Sequence, residues 1–392
     1  MRVAVLYGFH ASGHLVACER IAATVGARGH DVRLVSPLDS PELRDSIGSV
    51  FRAFAARSHP AVPAVLTGPS FLEDLYRQVD TTLHELLSDV DVVISTHPYS
   101  TWLSGRHAEV RALDYRLIDV QTDYGHWPVL PHHVVDAYVG PKLLFHREVN
   151  PRAHDIGIPP PPERASEAAF ADGRREFMTK RPLLLLGGAD GFAPLTETVR
   201  ALASQDLPVL VVAGRNEALR RELEGRHAEP IRRGRIMVAG FVPDLWAVMP
   251  SASAVITKAS GMTLIDAFAG RAPVICPPPI LAWEAEGMSL LESAGAIHAV
   301  WNAEDFDPTA VRALVDDHER TDRQCELASA MVNDRYGDDL MDLVESRPAR
   351  SFRHPPDVLR AIADDLRADR TLARLHRTAA GHRIATEIES YE

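Results

Sequence analysis

Short apolar runs alternate with segments of helical spacing from the start of the chain. Residues 2–7 form a β-rich run, a glycine-containing turn follows at residues 8–14, and apolar side chains then recur at helical spacing from Leu15 to Val25. Residues 31–35 form the next β-rich run. This order is typical of an α/β protein with a parallel sheet. Further strands of the same half are predicted at residues 91–95, 115–120 and 137–139.

Four consecutive prolines at residues 159–162 interrupt this alternation, because proline suits neither a helix interior nor a central strand. We therefore predict a linker at residues 156–165 between an N-terminal domain, residues 1–155, and a C-terminal domain, residues 166–345. Residues 346–392 are predicted to form a helical tail. The predicted fold class is α/β, with two tandem Rossmann-like, doubly wound domains and a ligand cleft between them. Strands of the second domain are predicted at residues 182–188, 209–214, 236–241, 254–257 and 273–276.

Composition narrows the class of partner. A formal net charge of −12 argues against a nucleic-acid partner, because such affinity depends on clustered Lys and Arg. No window approaches 18 uninterrupted apolar residues, which predicts a protein of the cytoplasm. Three cysteines, Cys18, Cys276 and Cys325, lie far apart and suggest neither a disulfide framework nor a zinc cluster.

The first candidate site is the loop at residues 8–14. It places Gly13 and His14 at the start of a predicted helix, where backbone N–H groups and the helix dipole favour negative charge. A dinucleotide fingerprint would need a glycine where His10 stands. His14 or His10 is therefore a candidate general base for a hydroxyl group. The alternative is a histidine that caps the helix or lies at the surface.

The second candidate site follows a strand of the C-terminal domain. Small residues, hydroxyls and one lysine precede a helix there, a combination that suits a diphosphate. The alternative is an N-capped core helix with a surface lysine. Lysine is rare in this chain, which favours the phosphate site. The candidates are Lys258, Ser260, Gly261 and Thr263, with Asp266 one turn into the helix to accept from sugar hydroxyls.

Three further glycine-containing segments end predicted strands of the same domain. Glycines at strand ends let a ligand approach the backbone, and an apolar residue beside them can form a wall for a nucleobase. Glycine is also common in ordinary turns, so a turn that binds no ligand is the alternative interpretation. The donor-binding candidates from these segments are Gly187, Gly188, Gly214, Arg215, Asn216, Phe241 and Val242.

The order of these motifs resembles glycosyltransferase family 28 over about residues 1–340. The motifs are GFHASGH, ISTHPYSTWL, VQTDYGHWPVLP, IGIPPPP, LLGGADG, VAGRNEALRRELE, VAGFVPDLWAVM, ITKASGMTLIDA and WEAEG. Within the family, the chain resembles the diacylglycerol galactosyl- and glucosyltransferases and, more distantly, the lipid II N-acetylglucosaminyltransferase. The resemblance implies a GT-B fold, a UDP-sugar donor in the C-terminal domain, inversion at the anomeric carbon, and neither a metal nor a cofactor. It also matches His14 to the base-bearing loop and Asp266 to a ribose-binding glutamate.

One segment departs from the family pattern. Where the family grips the donor sugar with a Gln-Glu pair followed by Asn, this chain has residues 282–288, AWEAEGM. Glu284 or Glu286 is expected to keep the acidic contact, while Trp283 and Met288 replace two amides. The departure therefore concerns the residues that contact the donor sugar in the family.

Acceptor-side residues are predicted in the N-terminal domain. The family loop matched by TDYGHW contributes Asp123, His126 and Trp127, and a carboxylate beside an imidazole is also how acid–base pairs are built. His97, which ends a strand, is a further candidate, and a turn role is the alternative for both segments. Apolar and arginine residues between Leu43 and Arg57 suit either an anionic membrane surface or a core-facing helix.

The sequence thus predicts an inverting transferase that moves a sugar from a UDP-sugar to a hydroxyl acceptor, a lipid or a secondary metabolite. One alternative is a UDP-sugar epimerase or hydrolase of the same fold, for which Glu284 and Glu286 are the available carboxylates. Another is a non-catalytic partner subunit that binds a nucleotide sugar. A lipid acceptor would add a peripheral contact at the inner face of the membrane.

Overall fold

The computed structural model describes residues 1–8, 13–43, 68–126, 134–141, 152–188, 195–279 and 282–346. They form two compact units. The first contains the described residues of Met1–Pro159, Ile280–Gly287 and Asn333–Glu392, and the second those of Pro160–Pro279 and Met288–Val332.

The first unit is built on a parallel sheet of six strands in the order β2-β1-β3-β4-β5-β6. Its order reverses between β1 and β3, so the chain leaves β1 in one direction along the sheet and continues from β3 in the other. The strands are β1 Arg2–Leu6, β2 Asp31–Val35, β3 Val92–Ser95, β4 Arg116–Val120, β5 Ala137–Val139 and β6 Ala153–His154. The helices are α1 Gly13–Ala27, α2 Pro69–Leu87, α3 Pro98–Arg111 and, after the second unit, the last described helix, α12 Tyr336–Glu345.

Alternation along β1 divides the core of this unit into two layers. Ala4 and Leu6 pack with the apolar faces of α2 and α3. Val3 and Val5 pack with α1 and α12 on the opposite face. Helices on both faces explain why the strands are apolar almost throughout.

The second unit carries six parallel strands in the order β12-β11-β10-β7-β8-β9, which reverses between β7 and β10. This is the order of a Rossmann sheet. The strands are β7 Leu183–Leu186, β8 Val209–Val212, β9 Ile236–Ala239, β10 Ala254–Ile256, β11 Val274–Cys276 and β12 His298–Ala299. The helices are α4 Arg174–Met178, α5 Leu195–Ala203, α6 Glu217–Arg226, α7 Ala228–Arg232, α8 Gly261–Ala269, α9 Ala282–Ser293, α10 Pro308–Asp316 and α11 His318–Ser329, with α9 crossing the division between the units after Gly287.

The described strands match the predicted ones except for two short edge strands, β6 and β12, which the sequence did not indicate. The passage from the first unit to the second, at Pro159 and Pro160, lies inside the predicted linker. Two parts of the predicted C-terminal domain, residues 282–287 and 333–345, belong to the first unit instead. Tyr336, Leu340 and Val344 of helix α12 lie in its core.

Polar contacts hold α12 on the first unit at both ends. Asn333, just before it, donates to the carbonyl of Ile156, and the guanidinium of Arg116 donates to the carbonyls of Leu343 and Ser346 at its carboxyl end. None of the described helices is long and apolar enough to cross a membrane. The predicted tail and the segment after Leu43 fall outside the described residues, apart from Ser346.

Candidate active site

The carboxyl ends of β1 and β3 lie side by side at the point where the order of the first sheet reverses, which is where open α/β sheets bind ligands. Gly8 follows β1, Thr96 follows β3, and α1 begins beside them at Gly13. The fold therefore brings the amino end of α1, including His14, to the reversal point. His10 lies outside the described residues.

The imidazole of His14 is held through one ring nitrogen. Its Nδ1 lies 2.5 Å from the carbonyl oxygen of Thr96 and 3.2 Å from the hydroxyl of Thr122. A carbonyl oxygen can only accept a hydrogen bond, so Nδ1 carries the proton of the neutral ring. The lone pair of the neutral imidazole is then on Nε2. The hydroxyl of Thr96 donates to the carbonyl of His14 at 3.1 Å, which ties the first turn of α1 to the end of β3.

His97 forms one wall of this site. It is only 3% exposed, and its Nδ1 accepts from the backbone N–H of Tyr99, so it caps α3. Burial, followed by the charge of His14, holds the pKa of His97 well below its usual value. Its ring packs edge-on against that of His14 at 4.6 Å between centroids. The structure therefore supports the alternative of a turn and cap residue over a direct acceptor contact.

Gly8 is required beside His97. A Cβ atom on this residue would lie 2.3 Å from Cδ2 of the His97 ring. The glycine of the first loop therefore allows β1 to end against a buried imidazole.

The loop after β4 connects His14 to a second imidazole. Thr122 touches His14, as described above, and Tyr124 and Gly125 are buried. His126 then places two donors on one carboxylate: its backbone N–H lies 2.6 Å from Oε2 of Glu286, and its Nδ1 lies 2.7 Å from Oε1. Asp123 is half-buried in this loop, and Trp127 lies outside the described residues.

The backbone of the loop after β4 packs closely against the start of α9. A Cβ on Gly125 would lie 1.8 Å from the carbonyl oxygen of Trp283, and one on Gly287 would lie 3.1 Å from the backbone N of Gly125. Paired glycines therefore let the loop and the helix meet backbone to backbone. Sequence reasoning singled out both His126 and Glu286 but missed their pairing, because nothing local connects residues 160 positions apart.

Glu284 and Glu286, the predicted donor contacts, both lie on α9. Both carboxylate oxygens of Glu286 accept from His126. Glu284, two residues earlier on the same helix, is 3% exposed.

The reversal point of the second sheet, between β7 and β10, carries the other predicted loops. Gly187 and Gly188 follow β7, and Gly188 has a φ of +77°, which glycine adopts without strain. The lysine loop follows β10, with Lys258 half-buried and Gly261 opening α8. The fold thus brings together two of the predicted donor segments, which are 70 residues apart in the chain.

Helix α8 lacks the cap that the alternative interpretation assumed. Ser260 occupies the N-cap position, but its side chain makes no capping hydrogen bond. Asn216 does cap a helix, since its side chain accepts from the backbone N–H of Leu219 at 2.9 Å and so starts α6. The hydroxyl of Ser260 is therefore not committed to the cap, whereas Asn216 has a structural role. Thr263 and Asp266 are half-buried on α8.

Two neighbouring strand ends form an exposed platform. The guanidinium of Arg215, after β8, lies 4.0 Å from the ring centroid of Phe241, after β9. Phe241 is 50% exposed, while Val242 is buried beneath the turn, and Gly214 has a φ of +65°. An exposed aromatic ring backed by a cation offers a flat face to a planar group. No cluster of three or more His, Cys, Asp or Glu suited to a metal ion occurs among the described residues.

Comparison with known proteins gives this geometry a context. The chain is 27% identical over 241 residues to the processive diacylglycerol beta-glucosyltransferase of Bacillus subtilis, a match covering 58% of this chain and 61% of that protein. It is 31% identical over 187 residues to the enzyme of the same name from Bacillus cereus, covering 47% of each. The predicted resemblance to glycosyltransferase family 28 is confirmed. No protein-family model matches the chain, and its matches span less than two thirds of these two family members.

Solved structures with the same fold cover nearly the whole chain. A Listeria monocytogenes protein described as a UDP-N-acetylglucosamine 2-epimerase has a TM-score of 0.59 at 13% identity, covering 90% of this chain and 98% of that one. SsfS6, a glycosyltransferase of Streptomyces sp. SF2575, has 0.58 at 15%, covering 88% and 100%. HepE of Anabaena, solved in complex with UDP, has 0.53 at 12%, covering 88% and 100%. These likenesses confirm the predicted GT-B fold class.

Proposed function

We propose that this protein is an inverting glycosyltransferase that moves a sugar from a UDP-sugar to a hydroxyl group of an acceptor. The observation that carries the proposal is the orientation of His14. Its Nδ1 is fixed by the carbonyl of Thr96, so the neutral ring presents the lone pair of Nε2 as a base. A direct inverting displacement needs one such base to take the proton of the attacking hydroxyl.

The second sheet supports the donor half of this proposal. A diphosphate would meet the amino end of α8, where the Ser260 side chain makes no cap, together with the cation of Lys258. Asp266 would contact the ribose, and the base would lie along the ring of Phe241. HepE, of the same fold, was solved with UDP, which makes UDP the nucleotide to test first.

The names of the relatives point to the acceptor class. Both Bacillus enzymes are named for diacylglycerol, so a lipid hydroxyl is the first acceptor to test and a soluble secondary metabolite the second. A lipid acceptor would bring the protein from the cytoplasm to the inner face of the membrane.

The decisive experiment pairs binding with turnover. Calorimetry should detect UDP binding, and a panel of UDP-sugars offered with diacylglycerol in mixed micelles, or with soluble hydroxyl acceptors, should yield a glycoside of inverted anomeric configuration. Absence of both UDP binding and sugar transfer across the panel would overturn the proposal. Retained anomeric configuration would overturn its stereochemical part alone.

We further propose that neither a metal nor a cofactor takes part. The cation of Lys258 would do the work of a divalent ion at the leaving diphosphate. Transfer should therefore continue unchanged in excess EDTA. Loss of activity with the chelator, restored by manganese, would contradict this.

The alternatives predict different products. An epimerase or hydrolase would need carboxylates beside the anomeric carbon, but Glu286 is engaged by His126 and Glu284 is buried. Free sugar released without acceptor, as fast as the full turnover, would favour that alternative. Tight UDP binding with no turnover of any UDP-sugar would favour a non-catalytic partner subunit.

A further inference from the structure

We propose that Glu286 is a positioning residue for His126, and that His126 binds an acceptor hydroxyl beside the base His14. This inference rests on the proposed function and changes one part of it. Glu286, one of the two candidates for the donor-sugar contact, acts instead on the acceptor side through His126.

The first argument is the geometry of the contact. Glu286 accepts from the backbone N–H of His126 on one oxygen and from its Nδ1 on the other, at 2.6 and 2.7 Å. Because a carboxylate only accepts, the neutral imidazole of His126 carries its proton on Nδ1 and directs the lone pair of Nε2 away from Glu286. Imidazoles oriented by a carboxylate in this way are held in one tautomer and one direction.

The second argument is the rigidity of the support. Gly125 and Gly287 let the loop meet the start of α9 with no room for a Cβ on Gly125. Tyr124 and Trp283, which flank this contact, are buried. The backbone that carries His126 is therefore packed directly against the backbone that carries Glu286.

The third argument is the position of the loop. Thr122, four residues before His126, contacts Nδ1 of His14 at 3.2 Å. The same short loop therefore touches the proposed base and carries a second oriented imidazole. The His126 side chain keeps 27% of its surface exposed, so the ring is supported on one side and accessible on another. At its accessible side, the imidazole of His126 would accept a hydrogen bond from a hydroxyl of the acceptor.

A pair of the same chemical kind serves as a matched control. Glu345, at the end of α12, lies 3.0 Å from Nε2 of His30, which precedes β2 at the opposite, amino edge of the same sheet. Glu345→Gln removes a histidine–carboxylate pair of the first unit without touching the carboxyl edge. Its kinetic constants should equal those of the wild type.

The kinetic test uses UDP-glucose as donor and dioctanoylglycerol in micelles as acceptor. Glu286→Gln should raise KM for dioctanoylglycerol about tenfold, because the acceptor loses a well-oriented hydrogen bond to His126. KM for UDP-glucose should stay unchanged. In the His126→Ala background Glu286→Gln should have no further effect, because the carboxylate acts only through the imidazole. A rise in KM for UDP-glucose, or equal effects of Glu286→Gln with and without His126, would overturn the inference and return Glu286 to the donor sugar.

A second readout needs no turnover. Nitrogen-15 NMR of ring-labelled histidine, assigned with His126→Gln, should show the Nδ1–H tautomer of His126 in the wild type and a mixture of tautomers in Glu286→Ala. The Nε2–H tautomer in the wild type would overturn the inference even in an active enzyme. A folded wild type that transfers no sugar from any UDP-sugar would instead overturn the proposed function, on which the acceptor role of His126 depends.

Discussion

The carboxyl edges of the two sheets have the same architecture and different chemistry. At the edge of the first sheet, the imidazoles of His14 and His126 each direct Nδ1 at an oxygen acceptor. The edge of the second sheet carries glycines, a half-buried lysine and the amino end of α8. Proton transfer needs a lone pair in a fixed direction, whereas a diphosphate is bound by convergent N–H groups and charge. The proposed function uses this difference, with the base in the first unit and the donor site in the second.

The largest expected effect is that of His14→Ala on turnover. Removing the base should lower kcat about 10²–10⁴-fold, the usual contribution of positioned proton transfer. UDP affinity should stay nearly intact, because the role proposed for His14 concerns the acceptor proton. Only the neutral imidazole accepts a proton, so the wild type should lose activity as the pH falls and protonates it, and the variant should lack this acidic limb. Steady-state kinetics from pH 5 to 9 and UDP calorimetry measure both.

His10→Ala is the control within the same loop and should have the smaller effect. Near-full activity of His14→Ala with collapse of His10→Ala would transfer the role to His10. Indifference of both would direct attention to Asp123 and His126.

The next largest expected effect is that of Lys258→Ala, in the second unit, on UDP affinity. Lys258→Ala should weaken UDP binding by about 1.5–3 kcal/mol, the range for a hydrogen bond to a charged group. Lys180 is the matched control, because its ammonium donates to the carbonyl of Gly234 in the same unit, near the amino ends of β7 and β9. Lys180→Ala should leave the dissociation constant of UDP unchanged in calorimetry. Equal dissociation constants of UDP for the wild type and Lys258→Ala would place the phosphate site away from Lys258.

Asp266→Asn should have a smaller effect of a different kind. If Asp266 contacts the ribose in ground state and transition state alike, its loss should raise KM for the donor about tenfold, or about 1.4 kcal/mol, and lower kcat less. Initial rates over a range of UDP-sugar concentrations separate the two constants. A fall in kcat at unchanged donor KM would place Asp266 in the chemical step.

The smallest expected effect is that of Phe241→Ala, in the exposed platform of Arg215 and Phe241, on UDP affinity. Phe241→Ala removes the exposed ring that Arg215 backs at 4.0 Å and should weaken UDP by about 0.5–1.5 kcal/mol, the contribution of an aromatic pair. Phe241→Tyr keeps the ring and should bind UDP as the wild type does. If Phe241→Ala bound UDP with full affinity, the nucleobase would lie away from this turn.

Local patterns predicted most of the framework. Strands β2 and β5 have the predicted bounds, since an apolar run flanked by polar residues is a property of the residues themselves. Strands β6 and β12, two residues each, are too short for such a pattern. The reversal points could be located only after the strand order was known, although the glycine loops that lie there were visible from the start.

The chemical character of each loop could likewise be predicted from the local sequence, but the contacts between distant residues could not. The sequence alone determined the alternation of strands and helices, the glycine turns at the strand ends, and which loops hold imidazoles or lysine. Only the tertiary structure decided that His97 is a buried cap, that α12 packs on the first sheet, and that Glu286 faces His126. Periodicity reports how a segment meets the core but not which distant segment lies beside it, because that is set by the packing of the whole unit.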